Sequence, residues 1–454
     1  MLALVVPVWA HAADLPATIH LQDAMARAAE RTPGVRAAQA GADATQAGID
    51  AAKGAWLPTL SLSGDFEVWN DKIEASFAPP GQTIDCSGVQ PPMDAVCYAL
   101  SSPIPVRDQV TANASIAVAQ PLTGLLTADA DTRSARAMGR AAERQVDATE
   151  ADASMTAAQA WLDARGLEEQ VDIAQSLVKS LQTRVEAARK TLEAHAVTKS
   201  DVLLAEVALG RGREGLIRAT AMRDLAYRRL GVATGSPGTP LRPDPSDAVT
   251  PSTHASTPSE EALVATAIQH RPELEALRAR IEGSDEHERS MSLSRIPDLS
   301  AVGVYTHEEG MGFVSEPNTV FVGARLQWLI YGGGRKMAGI RAARARTAQA
   351  KAQLEQATDG IRLQVEAALA QLTSAEAAYE VATDGVGQAQ ESLQAMEGRQ
   401  QAGAATMTEL LGAESDLVQA KSSKAAAAIE ARRAELALTH AVGSDPWAAP
   451  MEPR

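Results

Sequence analysis

The chain has 454 residues, a formal net charge of −15 at neutral pH and only 3% aromatic residues. This length is sufficient for a large core or for several domains, but alanine dominates the 45% apolar fraction. Small side chains favour long, closely packed helices over a thick core. The acidic balance excludes a nucleic-acid partner, because the chain has no basic stripe that could neutralise phosphates.

The N-terminus is a short apolar stretch, Leu2–Ala10, which continues into Ala10-His11-Ala12. An apolar segment before a small-x-small motif is typical of a secretory signal peptide, so we expect residues 1–12 to be removed on export. A basic segment does not precede the apolar stretch, and a frayed apolar terminus is the alternative. After residue 12 no apolar run reaches 18 residues, so any membrane crossing would require closed strands.

The only two cysteines, Cys86 and Cys97, lie in a segment that is rich in proline. In an exported protein, two cysteines that are close together in one loop predict a disulfide. Two free thiols are the alternative. A metal site is disfavoured, because no histidines accompany the pair.

The chain contains an internal duplication with an offset of 239 residues. Pro33 and Pro58 lie 25 residues apart, and Pro272 and Pro297 repeat this spacing. A repeat of this length predicts two duplicated structural halves rather than short solenoid units.

Two segments in each half alternate apolar and polar residues, which predicts strands with two unlike faces. We place them at about 59–70 and 108–120 in the first half, and at about 298–306 and 318–330 in the second. Most aromatic residues lie in or beside these segments, as in the girdle of a membrane barrel; a soluble β-sandwich core is the alternative. Because the smallest membrane barrels have about eight strands, closure would require several chains.

A long helix with coiled-coil periodicity follows the second strand of each half. Apolar residues recur at alternating spacings of four and three from Leu167 to Leu192 and from Ile361 to Met396, which is the 3.5-residue repeat of a coiled-coil seam. As a single helix, the segment 122–194 would extend roughly 110 Å at about 1.5 Å per residue. Such a helix requires partners along its length.

These patterns predict two repeats with the order helix, strand, strand, long helix, turn, helix. A turn-rich connector separates them, and an irregular tail follows. The expected segments are a first repeat at 13–231 with a helical hairpin at 122–231, a connector at 232–258, a second repeat at 259–443 with a hairpin at 332–441, and a tail at 444–454.

Several short motifs resemble those of the TolC-like outer-membrane efflux proteins. They are Leu21-Gln22-Asp23-Ala24 at a helix start, Leu57-Pro58, Gln120-Pro121-Leu122, the segment 328–335, and the two inter-helix turns at 194–203 and 401–411. No single motif is decisive, but together with the duplication they cover nearly the whole mature chain. The resemblance implies an α+β membrane protein: a homotrimer with a twelve-stranded β-barrel in the outer membrane and a long periplasmic α-helical barrel.

The resemblance also implies a passive exit duct of a tripartite efflux or type I secretion system. Such a duct lies in the outer membrane of a Gram-negative bacterium, contacts its lipid and extends into the periplasm. Its partners would be a periplasmic adaptor protein and an inner-membrane pump. A periplasmic coiled-coil adaptor is the alternative function, but an adaptor would have one helical hairpin between β domains that are not duplicated.

By resemblance, the two inter-helix turns form the periplasmic tip, where the tube narrows and an adaptor docks. The implied adaptor contacts are Ala194, His195, Ala196, Val197 and Thr198 in the first turn, and Gly403, Ala404, Ala405 and Thr406 in the second. The implied constriction residues are Asp201 and Glu409. The alternative role for both is that of an acid at a helix start, where it interacts favourably with the helix dipole.

The turns also depart from the family pattern. Ala194, His195 and Ala196 replace a Val-Gly-Leu-like adaptor motif. Gln400 and Ala405 stand where the best-known members have a closing tyrosine and arginine, and Gly412 replaces the second acid of the constriction. We therefore expect a closing network that is weaker or differently built.

Neither an enzyme nor a cofactor site is expected. The three glycines at 332–334 lack the spacing of a phosphate-binding loop, since Met337 follows Lys336; a flexible joint is favoured. The eight histidines are scattered and do not form paired metal ligands. No arrangement of a nucleophile with a base, or of facing carboxylates, emerges from the sequence.

Overall fold

The structure is a computed structural model that describes residues 17–78, 82–193, 198–247, 249, 258–312 and 316–444. The expected signal peptide at 1–12 lies outside these residues, as does the expected tail after Ser444. The chain forms two compact units. The helical unit comprises Met1–Ala44, Arg140–Ala279 and Lys351–Arg454, and the strand unit comprises Thr45–Gly139 and Arg280–Ala350.

The strand unit contains an antiparallel sheet with the order β2-β4-β6-β7, in which β2 and β7 are the edge strands. A short strand, β3, pairs with β4 beyond the end of β2. The strands are β2 (Thr59–Val68), β3 (Ile73–Ala75), β4 (Ile104–Pro121), β6 (Asp298–Met311) and β7 (Asn318–Gln327). β6 continues past the expected end at 306, because the long β4 still offers it a partner at Arg107, opposite Met311.

One face of this sheet is apolar and exposed in the single chain. Leu62 on β2 is 77% exposed and Val322 on β7 is 84% exposed. The opposite face of β2 is polar, and there the hydroxyl oxygens of Ser63 and Ser115 lie 2.7 Å apart. Since a contiguous apolar face of this kind marks an interaction surface, the alternation predicted from the sequence corresponds to a sheet that requires an apolar environment.

The connection between β2 and β4 is a stapled insert, 69–103, and β6 and β7 are joined by the short connection 312–317. The insert contains β3 and the helix α3 (Met93–Ser101). Cys86 and Cys97 form a disulfide with a Cα–Cα distance of 5.7 Å. The predicted disulfide is therefore confirmed, and it joins the middle of α3 to the preceding loop.

Four long helices form two hairpins, as the duplication predicts. In the first hairpin, Leu181 and Val185 belong to an apolar cluster with Ala205 and Leu209. The second hairpin shares a longer cluster with two shorter helices of the second repeat. The helices are α4 (Gly124–Glu193) and α5 (Lys199–Ala233) in the first hairpin, and α8 (Arg335–Gln401) and α9 (Met407–Val442) in the second. Within the described ranges, no helix is both long and apolar enough to cross a membrane.

A pair of shorter helices opens each repeat, and a proline begins the second helix of each pair. Thr32 before Pro33 and Arg271 before Pro272 have extended backbone, with ψ of 146° and 118°. Steric contact with the proline ring disfavours helical geometry at the preceding residue, so the chain bends there. The helices are α1 (Leu21–Arg31), α2 (Pro33–Gly54), α6 (Glu260–His270) and α7 (Pro272–Leu293).

Two short strands attach the connector to the start of the first repeat. β1 (Ala17–Ile19) pairs in parallel with β5 (Leu241–Pro243). The indole N–H of the buried Trp161, on α4, donates to the carbonyl of Ile19 at 2.9 Å. This hydrogen bond satisfies the polar atom of a large buried side chain and fixes β1 against the helical unit.

We predict that the disulfide stabilises the insert locally. Replacement of Cys86 and Cys97 by serine should cost roughly 2–3 kcal/mol at most, because the ring is short. Hydrogen exchange should accelerate within 82–103 and stay unchanged in the long helices. Alkylation of the unreduced protein, followed by mass spectrometry, provides the control. Two reactive thiols in the folded wild type would contradict the disulfide.

Candidate functional site

The structure describes part of the first predicted turn and all of the second. Ala194, His195, Ala196 and Val197 lie outside the described residues. In the first turn, Thr198 and Asp201 are described. In the second turn, the described residues include all the predicted ones: Gly403, Ala404, Ala405, Thr406 and Glu409.

Thr198 and Asp201 form a capping box at the start of α5. The backbone N–H and the hydroxyl of Thr198 donate to Oδ2 of Asp201 at 2.9 and 2.7 Å. In return, the backbone N–H of Asp201 donates to the hydroxyl oxygen of Thr198 at 3.3 Å. These bonds satisfy backbone donors that have no partner within the helix.

Thr406 and Glu409 repeat this arrangement at the start of α9. The backbone N–H and the hydroxyl of Thr406 donate to Oε2 of Glu409 at 2.7 and 2.8 Å. The backbone N–H of Glu409 donates to the hydroxyl oxygen of Thr406 at 3.2 Å. The two acids that the resemblance places at the constriction therefore have the same local contacts.

The capping bonds also keep both acids ionised. Hydrogen bonds from the hydroxyl and then the backbone of Thr198 lower the pKa of Asp201. Hydrogen bonds from the backbone and then the hydroxyl of Thr406 lower the pKa of Glu409. A lowered pKa means that the charged form stabilises the turn at neutral pH, and that this contribution is lost as the pH falls through the lowered value. The geometry of both residues is that of an acid at a helix start; Glu409 is exposed and Asp201 is half-buried.

The second turn ends α8 through a left-handed glycine. Gly403 has a φ of 71°, which favours glycine because a side chain there would be strained. Its N–H donates to the carbonyl of Gln400 at 3.0 Å, and the N–H of Ala404 donates to the carbonyl of Arg399 at 2.8 Å. This is the Schellman pattern of a helix end. Gln400 thus contributes its backbone carbonyl to the turn.

The two turns pack on one apolar cluster. Val202 on α5 and Ala188 on α4 share it with Met407 and Leu410 on α9. Full burial of a valine, leucine or methionine side chain contributes roughly 1.5–3 kcal/mol to the free energy of folding. The ends of the two hairpins are therefore parts of one site within the helical unit.

A set of ion pairs above this cluster was missed by the sequence analysis. Within the first hairpin, Nη2 of Arg189 donates to Oε1 of Glu206 at 2.5 Å. Between the hairpins, Nε of Arg184 donates to Oε2 of Glu414 at 2.5 Å, and its Nη2 donates to Oε1 of Glu397 at 2.8 Å. One sequence signal was available, since the motif that begins at Asp201 and ends at Glu206 is repeated from Glu409 to Glu414.

The helical unit contains a cavity of about 800 Å³ with side chains of both charges in its lining. It lies between α4, α8 and α9, and Asp172, Tyr379, Lys424 and Glu414 are among its lining residues. Across the described parts of the chain, no three histidine, cysteine or acidic side chains come together as potential metal ligands.

We predict that Thr198→Ala and Thr406→Ala each destabilise the start of the following helix by about 1 kcal/mol, because each removes a side-chain cap. Hydrogen exchange should accelerate in the first turns of α5 and α9. Thr408→Ala, within the first turn of α9 but outside the capping box, is the matched control and should leave exchange at the wild-type rate. Equal exchange in all three variants would show that the boxes contribute nothing to the turns.

Comparisons with known proteins identify the family. A profile of the family described as outer membrane efflux protein matches residues 24–236 and 263–444. The two matched segments correspond to the two repeats and leave out part of the connector. No match was found among curated proteins.

Solved structures share the fold over nearly the whole chain. CusC, which is described as forming a transmembrane channel, has a TM-score of 0.76 and 14% identity over 94% of this chain and 93% of its own. The outer membrane protein VceC of Vibrio cholerae has a TM-score of 0.72 and 18% identity, with coverages of 93% and 96%. The outer membrane channel MtrE of Neisseria gonorrhoeae, in its open state, has a TM-score of 0.71 and 17% identity, with coverages of 94% and 89%.

The family match covers most of the chain, and the shared fold extends over both repeats. The expected fold class, the outer-membrane location with a periplasmic helical part, and the function as an efflux channel are confirmed. So is the family's mode of action, as a trimer with an adaptor and an inner-membrane pump. The chain belongs to the outer membrane efflux protein family.

Proposed function

We propose that this chain is the passive exit duct of a tripartite efflux or type I secretion system. Three copies would form a continuous tube through the outer membrane and the periplasm. The observation that carries this proposal is the sheet of the strand unit, which combines two edge strands with an exposed apolar face. The apolar face is unfavourable in water and the unpaired edges are unfavourable in lipid, and both requirements are met when three copies close a twelve-stranded barrel.

The edge strands explain why three copies are needed. Backbone N–H and C=O groups at the free edges of β2 and β7 require partners, since an unpaired group costs several kcal/mol in lipid. Pairing β2 of one copy with β7 of the next satisfies both edges by a single kind of contact. The apolar face with Leu62 and Val322 then lies against lipid, and the face with Ser63 lines the water-filled interior.

The duplicated halves also argue against an adaptor. An adaptor would present one helical hairpin, whereas this chain has two hairpins of similar length and a pair of strands with each. We propose that the repeats at 13–231 and 259–443 are the two structural halves of one duct subunit, with the connector at 232–258 between them. Energy for transport would come from the pump, and we infer that the chain itself has no catalytic role, because its family consists of channel proteins.

We further propose that the two turns form the narrow periplasmic tip and the docking surface of the adaptor. Exposed small residues, Gly403 and Ala404, would permit close approach of a partner backbone; Ala194, His195, Ala196, Val197 and Thr198 would contribute from the first turn, and Ala405 and Thr406 from the second. Asp201 and Glu409 are charged, and Glu409 is exposed. Three copies of Glu409 near the threefold axis would attract cations and repel anions.

We predict that the purified protein is a detergent-stable trimer. Light scattering with a correction for bound detergent should give three chains per particle, because a smaller assembly leaves sheet edges open. Circular dichroism on the same sample tests whether strands and helices are folded. A folded monomer would contradict the proposed duct.

We predict that Glu409→Gln reduces cation selectivity in planar bilayers and leaves the turn intact. Glutamine can replace glutamate in a capping box but carries no charge, whereas Glu409→Ala removes both the charge and the cap. Asp201→Asn at the equivalent position of the first turn is the comparison variant. If wild type and Glu409→Gln have the same selectivity and the same block by multivalent cations, Glu409 does not line the pore and acts only at the helix start.

We predict that Gly412→Asp has the opposite effect to Glu409→Gln, because it adds a negative charge instead of removing one. A Cβ at Gly412 meets no atom within 4 Å, so α9 has room for a side chain there. The substitution restores the second acid of the constriction and should strengthen block by multivalent cations relative to wild type. Unchanged block, measured in the same bilayers, would place residue 412 away from the pore.

A further inference from the structure

The capping boxes align the two hairpins residue by residue. Thr198 corresponds to Thr406, and the same offset pairs Glu206 with Glu414 and Arg189 with Glu397. In the first hairpin, the basic and acidic residues of this set form the ion pair Arg189–Glu206. In the second hairpin, the same two positions are both acidic. The duplicated hairpins have therefore diverged by a charge reversal at Glu397.

Two carboxylates on adjacent helices of one hairpin repel each other. Arg184, from the first hairpin, lies between them and binds both: Glu414 on α9 at 2.5 Å and Glu397 on α8 at 2.8 Å. In the first hairpin, Arg189 neutralises Glu206 within the same hairpin. In the second hairpin, the neutralising cation is Arg184, which belongs to the first hairpin. Glu206 and Glu414 occupy equivalent positions, but Glu206 pairs within its own hairpin whereas Glu414 pairs with the other hairpin.

The surroundings make this contact strong. The side chain of Glu414 is 6% exposed and that of Arg184 is 16% exposed, whereas Glu397 is 41% exposed. Buried Leu181 and Val185 flank Arg184 on α4. Burial lowers the pKa of Arg184, but the two carboxylates outweigh burial and raise it, so the guanidinium stays charged. Removal of one partner from such a site leaves a buried charge without compensation.

We propose that Arg184 is the positioning residue that holds the second hairpin against the first, and that the hairpins cannot separate at the tip without breaking its bonds to Glu397 and Glu414. This inference rests on the proposed duct function, in which hairpin positions set the width of the periplasmic end. It assigns the coupling to one side chain of the first hairpin. The position of the second hairpin is then fixed by contacts within each subunit.

Conductance of purified trimers in planar bilayers tests the proposal. Arg184→Gln should shift the conductance and the open fraction upward, because the hairpins lose their shared cation and the two glutamates repel. Arg189→Gln, which breaks the equivalent pair inside the first hairpin, is the matched control and should stay close to wild type. Adding Glu397→Gln to Arg184→Gln should shift the conductance back toward wild type, because it removes the repulsion.

The proposal is overturned if Arg184→Gln conducts like wild type, or if Arg189→Gln opens the channel to the same degree. Should Arg184→Gln fail to assemble, Glu397→Arg provides the decisive measurement. This substitution gives Glu414 a basic partner on α8, as Arg189 is the partner of Glu206 in the first hairpin. The second hairpin should therefore remain folded. The new arginine should at the same time repel Arg184. An assembled Glu397→Arg channel with raised conductance supports the coupling, and one with wild-type conductance removes it. A wild-type protein that conducts no ions would instead contradict the duct function itself.

Discussion

The hydrogen-bonding demand of two sheet edges is the constraint on which this architecture depends. β2 and β7 each have one neighbour within the described sheet, and water cannot satisfy their outer backbone groups inside a bilayer. Only copies of the same chain offer strands of matching length at the same height. Trimerisation is in this sense a consequence of backbone chemistry.

Much of the fold was predictable, because its determinants are local or periodic. Alternation located the four long strands, the 3.5-residue repeat located the hairpins, and the prolines at Pro33 and Pro272 marked the bends. The disulfide followed from two cysteines in one loop. The length of β6 was not predictable, since it depends on how far its neighbour β4 extends. A strand's end is set by its partner rather than by its own sequence.

The candidate site likewise has features that the sequence predicts and features that it does not. The capping boxes could be found from the sequence, because a threonine three positions before an acid is a local signal. Asp201 and Glu409 were singled out by resemblance, and the structure assigns them contacts that involve only their own turns. Arg184 could not be found, because its partner Glu414 is 230 residues away and nothing in the neighbourhood of Arg184 distinguishes it from other helical arginines. An ion pair between the two duplicated hairpins can be identified only from the three-dimensional structure.

The stapled insert at 69–103 has a consequence for the symmetry of the channel. In each chain, α5 and α9 begin with the same capping box, so a trimer contains six copies of this helix start. In the strand unit, the connection 69–103 carries the disulfide and α3, whereas the connection 312–317 is short. A trimer therefore has three long connections with a disulfide and three short ones. A ligand that recognises the insert therefore has three equivalent binding positions per trimer.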